Sequence, residues 1–89
     1  MSHTHSTKVE YLTNKLQEEA AEVIQAVSKI RRFGPHNHHP DRQTTNLQEL
    51  VGEVEDFLAI LGALEHHGYL DLTLSQRNIA HKAQALLSA

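Results

Sequence analysis

Apolar residues recur at three- and four-residue spacing in three stretches of the chain, with no strand-like alternation and no repeat at solenoid spacing. The first row is Val9, Leu12, Leu16, Ala20, Val23, Val27 and Ile30. Thr7, with Glu10 three residues on, has capping-box spacing, so the pattern predicts a helix from Thr7 to about Phe33, stopped by Gly34-Pro35. Lys29, Arg31 and Arg32 fall in its last turn, where cations complement the negative end of the helix dipole. The second row, Leu47, Leu50, Val51, Val54, Leu58, Leu61 and Leu64, predicts a helix capped by Thr45 or Asn46, with Gln48 or Glu49 at the box position, and ended by Gly68. A third, shorter helix starts near Thr73 or Ser75 and sets Ile79, Ala83, Leu86 and Leu87 on one stripe.

Between the first two helices, residues 34–45 combine two prolines and three histidines with no aliphatic residue, and read as an exposed loop. Residues 1–7 are expected to be a disordered end carrying His3 and His5. The expectation is therefore an all-α fold, a single domain over residues 1–89. Two long antiparallel helices and a shorter C-terminal helix would assemble into helical bundles across subunits.

Composition narrows the partners. A chain of 89 residues buries only ~60% of the surface its unfolded form exposes, and without cysteine no disulfide makes up the difference. Self-association or a metal would serve. A net charge of −3 with no long basic stripe argues against nucleic acid. The longest apolar run, Phe57–Leu64, falls far short of the ~20 residues that span a bilayer, and MSHTHSTK lacks the apolar stretch of a signal peptide. No membrane partner and a cytoplasmic location are expected. Protonating all eight histidines would move the formal charge from −3 to +5.

The acids stand where bases do not. Between Leu16 and Ser28 lie Glu18, Glu19 and Glu22 without a Lys or Arg; from Asn46 to His67 lie Glu49, Glu53, Glu55, Asp56 and Glu65, again without one. A solvated helix face normally mixes signs at i, i+4, because like charges at that spacing repel. Glu19 and Glu22 are three apart, as are Glu53 and Asp56, so each pair projects to one side of its helix about 60° apart. Antiparallel packing could bring all four together, and oxygen-only ligation suits Mg²⁺ or Mn²⁺. On the acidic side of helix two, Ile60 and Leu64 continue the azimuth of Glu53; on helix one, Ala26 and Phe33 follow Glu22. That second face is expected to pack against another subunit. Buried carboxylates without cations are costly, and metal ions are the usual remedy. The plain alternative is two acidic solvent faces on a small bundle.

At these residues the chain resembles the MazG-type family of all-α nucleoside triphosphate pyrophosphohydrolases, whose signature is EExxE or ExxE on one helix and ExxD on the next. KLQEEAAEV supplies Glu18, Glu19 and Glu22, and GEVEDFLAIL supplies Glu53 and Asp56; the resemblance covers about residues 8–67. It implies metal ligands at Glu19, Glu22, Glu53 and Asp56, with two or more Mg²⁺ or Mn²⁺ ions per site. Glu18 fits the leading acid, as a further ligand or a water-orienting base, and Glu49 stands one turn before Glu53 in support. Glu55 points to the other side and reads as a solvated charge. The implied reaction is hydrolysis of the α–β bond of a nucleoside triphosphate, expected to be a dNTP, to a monophosphate and pyrophosphate, in nucleotide-pool cleaning or tailoring. Lys15 and Lys82, with Asn78 beside the latter, are the candidates for substrate contact, ahead of Arg31, Arg32 and Arg42. Little chain lies beyond the three helices to enclose a base, so a neighbouring subunit is expected to contribute, in a homodimer or homotetramer.

His36, His38 and His39 could hold a transition metal, against the plainer reading of a polar loop. His66-His67 suits a helix C-terminus. A di-iron carboxylate bundle would need Glu-x-x-His, and no acid has a histidine three residues on. A non-catalytic helical interaction module explains the apolar stripes but not the base-free acidic pairs.

Overall fold

The computed structural model describes residues 7–73 and 75–89; His3 and His5 lie outside the described residues. Three helices follow in order: α1 over Lys8–Phe33, α2 over Asn46–His66 and α3 over Ser75–Leu87. The all-α, three-helix expectation holds. Thr7 is not part of a loose end, because its hydroxyl accepts from the Glu10 amide at 3.1 Å and caps α1. Thr45, not Asn46, caps α2: its hydroxyl accepts from the Gln48 amide at 3.1 Å, while its own amide donates to Gln48 Oε1 at 2.8 Å. Gly34, at φ 91°, ends α1 in a conformation that disfavours any side chain, and its amide donates to the Ile30 carbonyl at 2.8 Å.

Freed from capping, Asn46 is buried and ties the loop to α2. Its side chain donates to the Gly34 carbonyl at 3.0 Å and its amide to the Asn37 carbonyl at 2.8 Å, while the Leu47 amide reaches the Pro35 carbonyl at 3.0 Å. The Asn37 side chain donates to the carbonyl of Phe33. The loop is thus hydrogen-bonded to both flanking helices, which run antiparallel: Lys29 faces Glu49 near the loop, and Glu19 faces Asp56 farther away.

The face of α2 turned towards α1 differs from the expectation. Leu47, Val51, Val54 and Leu58 are 42, 54, 36 and 56% exposed, whereas Leu50, Glu53, Phe57, Ile60 and Leu64 lie towards α1, with Leu64 only 2% exposed. Ile60 and Leu64 therefore belong to the seam within the chain, and the second face is the other stripe. The buried apolar residues among those described are Leu12, Ala26 and Leu64. Helix α3 packs on neither α1 nor α2 among the described residues, leaving Ile79, Leu86 and Leu87 exposed. The radius of gyration, 16.5 Å against ~12 Å for a compact domain of this length, reflects that openness.

Candidate metal centre

Glu19 and Glu22 sit one turn apart in the middle of α1, Glu53 and Asp56 likewise on α2, and antiparallel packing sets the two pairs face to face. One carboxylate oxygen from each of the four lies within 4.8 Å of the others. Glu22 and Asp56 are open to solvent, while Glu19 and Glu53 are half-buried in the seam. Glu19 Oε2 and Glu53 Oε2 are shut off from water with no hydrogen-bond partner, an arrangement that is costly for a carboxylate unless a cation completes it.

The electrostatics agree. Burial, followed by the charge and close approach of Glu22 and the charge of Asp56, pushes the Glu19 carboxyl above its ordinary value, with Lys15 opposing. For Glu53 the hydrogen-bonding approach of the Glu22 carboxyl leads, with burial and the charges of Glu22, Asp56 and Glu19 adding to the rise. Hard divalent ions take oxygen ligands of this kind, and the four oxygens within 4.8 Å of one another would hold one ion after side-chain movement, or share two. The donors are all hard oxygens, so the residues fit Mg²⁺ or Mn²⁺ and disfavour soft metals.

The remaining expected residues fall outside the four. Glu18 is exposed and pairs with Lys15 at 3.5 Å. Glu49 is engaged by the loop: Arg42 Nη1 donates to Oε1 at 2.8 Å and the Thr44 hydroxyl to Oε2 at 3.1 Å. Partial burial pushes Glu49 up, but the Thr44 bond and the Arg42 charge outweigh it and hold the carboxyl low. Asn78 and Lys82 lie exposed on α3, which packs against neither acid-bearing helix. Glu55 is exposed, as expected of a solvated charge. Among the described residues no three of the loop histidines and acids converge on one point; His39 Nδ1 accepts from the Asp41 amide at 3.1 Å and lies 3.7 Å from the Asp41 carboxylate.

Sequence reasoning missed Lys29. Beside the acids a cavity of about 200 Å³ opens, lined by Glu22, Gln25, Lys29, Arg42, Glu49 and Glu53. Lys29 reads in the sequence as a cation favoured by the helix dipole, and its place one turn beyond Gln25, on the side of Glu22, is the signal that could have found it. Comparison of the chain with known protein families, with curated proteins and with solved structures finds no match. No helix among the described residues is long and apolar enough to cross a membrane.

Proposed function

We propose that this chain is a divalent-metal-dependent nucleoside triphosphate pyrophosphohydrolase, the activity implied by its resemblance to the MazG-type family. The observation that carries the reading is the convergence of Glu19, Glu22, Glu53 and Asp56 from two helices, with two buried oxygens left without partners. Those four would hold the ions, and the chemistry supplied by bound ions is neutralisation of the triphosphate charge and activation of a water. Water oxygen joins the α-phosphorus, the α–β bridging oxygen leaves on pyrophosphate, and the displaced proton needs an acceptor. Glu49, held low by Arg42 and Thr44, is a poor one, and its part is to fix Arg42 beside the cavity. Glu18, adjacent to Glu19 in the chain and paired with Lys15, is the acid we assign to take it. The biological role would be cleaning or tailoring of the nucleotide pool.

The proposed enzyme is a homodimer or homotetramer. Leu47, Val51, Val54 and Leu58, together with Ile79, Leu86 and Leu87, expose more apolar surface than three buried residues balance. These same faces favour the second reading, a non-catalytic helical interaction module. Incubating a panel of canonical and modified (d)NTPs with Mg²⁺ or Mn²⁺ and resolving products by chromatography separates the two. Monophosphate plus pyrophosphate supports the enzyme; diphosphate plus phosphate, EDTA-insensitive turnover, or no turnover of any triphosphate overturns it.

A further inference from the structure

The loop after α1 encloses a second cavity of about 320 Å³, at the lower end of the ~300–1,000 Å³ typical of small-molecule sites. The Phe33 ring, Pro40, His38 and the stem of Lys29 give it apolar and aromatic walls, and Asn37 adds an amide. It shares Lys29, Arg42 and Glu49 with the smaller cavity, which in turn reaches Glu22 and Glu53 of the acid cluster. Four acids, then Lys29 and the Arg42–Glu49 pair, then an aromatic recess follow one another along the α1–α2 seam.

A nucleotide has that order of chemistry from its phosphates to its base. We infer that the 34–45 loop and Phe33 form the nucleoside pocket of the same chain, joined to the acids by a passage where Lys29 and Arg42 meet the phosphate chain. The inference rests on the pyrophosphohydrolase reading, and it removes the need for a neighbouring subunit to enclose the base.

Three features show that the recess is built. Asn46, 6% exposed, closes its floor through bonds to Gly34 and Asn37. Arg42 is held at its place by Glu49 at 2.8 Å, and its amide donates to the His39 carbonyl at 2.9 Å. Phe33 stands 53% exposed, with the Arg32 guanidinium 5.0 Å from its ring centroid, so the ring offers a stacking surface without a packing partner in the core. Stacking of a base on one aromatic ring corresponds to roughly a fivefold to hundredfold change in affinity.

Amide shifts of ¹⁵N-labelled protein in Mg²⁺ test this with two probes, inorganic tripolyphosphate and a non-hydrolysable α,β-imido-dNTP. Tripolyphosphate is expected to move amides around Glu19, Glu22, Glu53 and Asp56; the nucleotide is expected to move those and, in addition, Phe33 and residues 37–42. Phe33→Ala should weaken the nucleotide at least about fivefold and leave tripolyphosphate unchanged, and His38→Ala, in the exposed loop, should weaken the nucleotide alone if Phe33→Ala fails to fold. Nucleotide binding at the acids with an unmoved loop, or equal weakening of both probes, overturns the loop pocket and spares the enzyme reading. Failure of both probes to bind in Mg²⁺ overturns the enzyme reading and the pocket with it.

Discussion

Four carboxylates held within 4.8 Å, two of them with a buried unpartnered oxygen, should make the folded chain tighten on metal. Mn²⁺ added to metal-free protein at pH 7.5 is the perturbation. A ligand that binds only the folded state stabilises it by about 2.7 kcal/mol at a hundred times its dissociation constant. At roughly 4–8 °C per kcal/mol for a domain of this size, the melting temperature should rise by roughly 10–20 °C. Glu53→Gln should lose most of that rise, yet melt no lower than the parent in EDTA, because it removes a charge that Glu22, Asp56 and Glu19 oppose. Glu55→Gln is the control. Thermal melts by circular dichroism read all three proteins. A rise of the same size in Glu53→Gln, no rise in the parent at millimolar Mn²⁺, or a lower metal-free melting temperature for Glu53→Gln would refute the reasoning.

The same groups set a pH dependence. Glu19 and Glu53 are raised in the fold above the ordinary value of 4.5, so their contribution to stability is fully present below that value and is lost as pH rises through their folded values. Glu49, lowered, contributes above 4.5 and loses its contribution as pH falls through its folded value. Asp71, lowered by its bonds from Thr73, behaves like Glu49, and both lose their contribution only below their ordinary values of 3.8 and 4.5, so between neutrality and pH 5 the raised pair governs and metal-free protein should gain stability on acidification. Mn²⁺ should reverse the trend, because ligation needs the carboxylates ionised. Melts across pH 5–8 with EDTA and with Mn²⁺ check both slopes, and parallel slopes would count against the site.

Glu19→Gln, Glu22→Gln and Asp56→Asn should each cut pyrophosphate release by about 100-fold or more with helicity retained, while Glu55→Gln stays near the parent, as read by steady-state product assay. Leu58→Asp, on the exposed stripe of α2, should shift a light-scattering mass towards the 10.0 kDa of one chain; a parent already at that mass removes the basis for assembly. A Cβ at Gly52 would meet nothing within 4 Å, so Gly52→Ala should raise the melting temperature by roughly 4–8 °C through helix propensity alone, and a fall would reveal a neighbour seated against that face.

The helix spans were legible because caps and breakers mark them: Thr7, Thr45 and Gly34 stand where the pattern set the ends. The four acids were legible because three-residue spacing in base-free stretches limits where they can point. Which side of α2 turns inward was not. That helix is apolar nearly all round, with Phe57, Ile60 and Leu64 on one side and Leu47, Val51, Val54 and Leu58 on the other, so periodicity alone does not rank the faces. Glu53 on the inner side makes that face look the worse choice until its three acidic neighbours are seen beside it. The Arg42–Glu49 pair spans the loop–helix boundary at a separation no motif marks, and the burial of Asn46 follows from loop geometry.

Acids in the seam and apolar stripes on the outside are two sides of one physical problem. Antiparallel helices are ordinarily held by the apolar face they share, but here the middle of that face is given to Glu19 and Glu53, and the apolar residues buried beside them are Leu12, Ala26 and Leu64. The seam therefore holds weakly while its charges stay uncompensated. Ions between the helices would turn four mutually repelling groups into a cross-link, and apolar contacts at Leu47, Val51, Val54 and Leu58 would hold α2 from the opposite side. Each alone steadies the pair that the other needs formed, since both act on α2. Metal affinity and self-association should then rise together, and by linkage each should strengthen the other by the same factor. A Mn²⁺ affinity that does not change as the chain is diluted through its dissociation range would break that coupling.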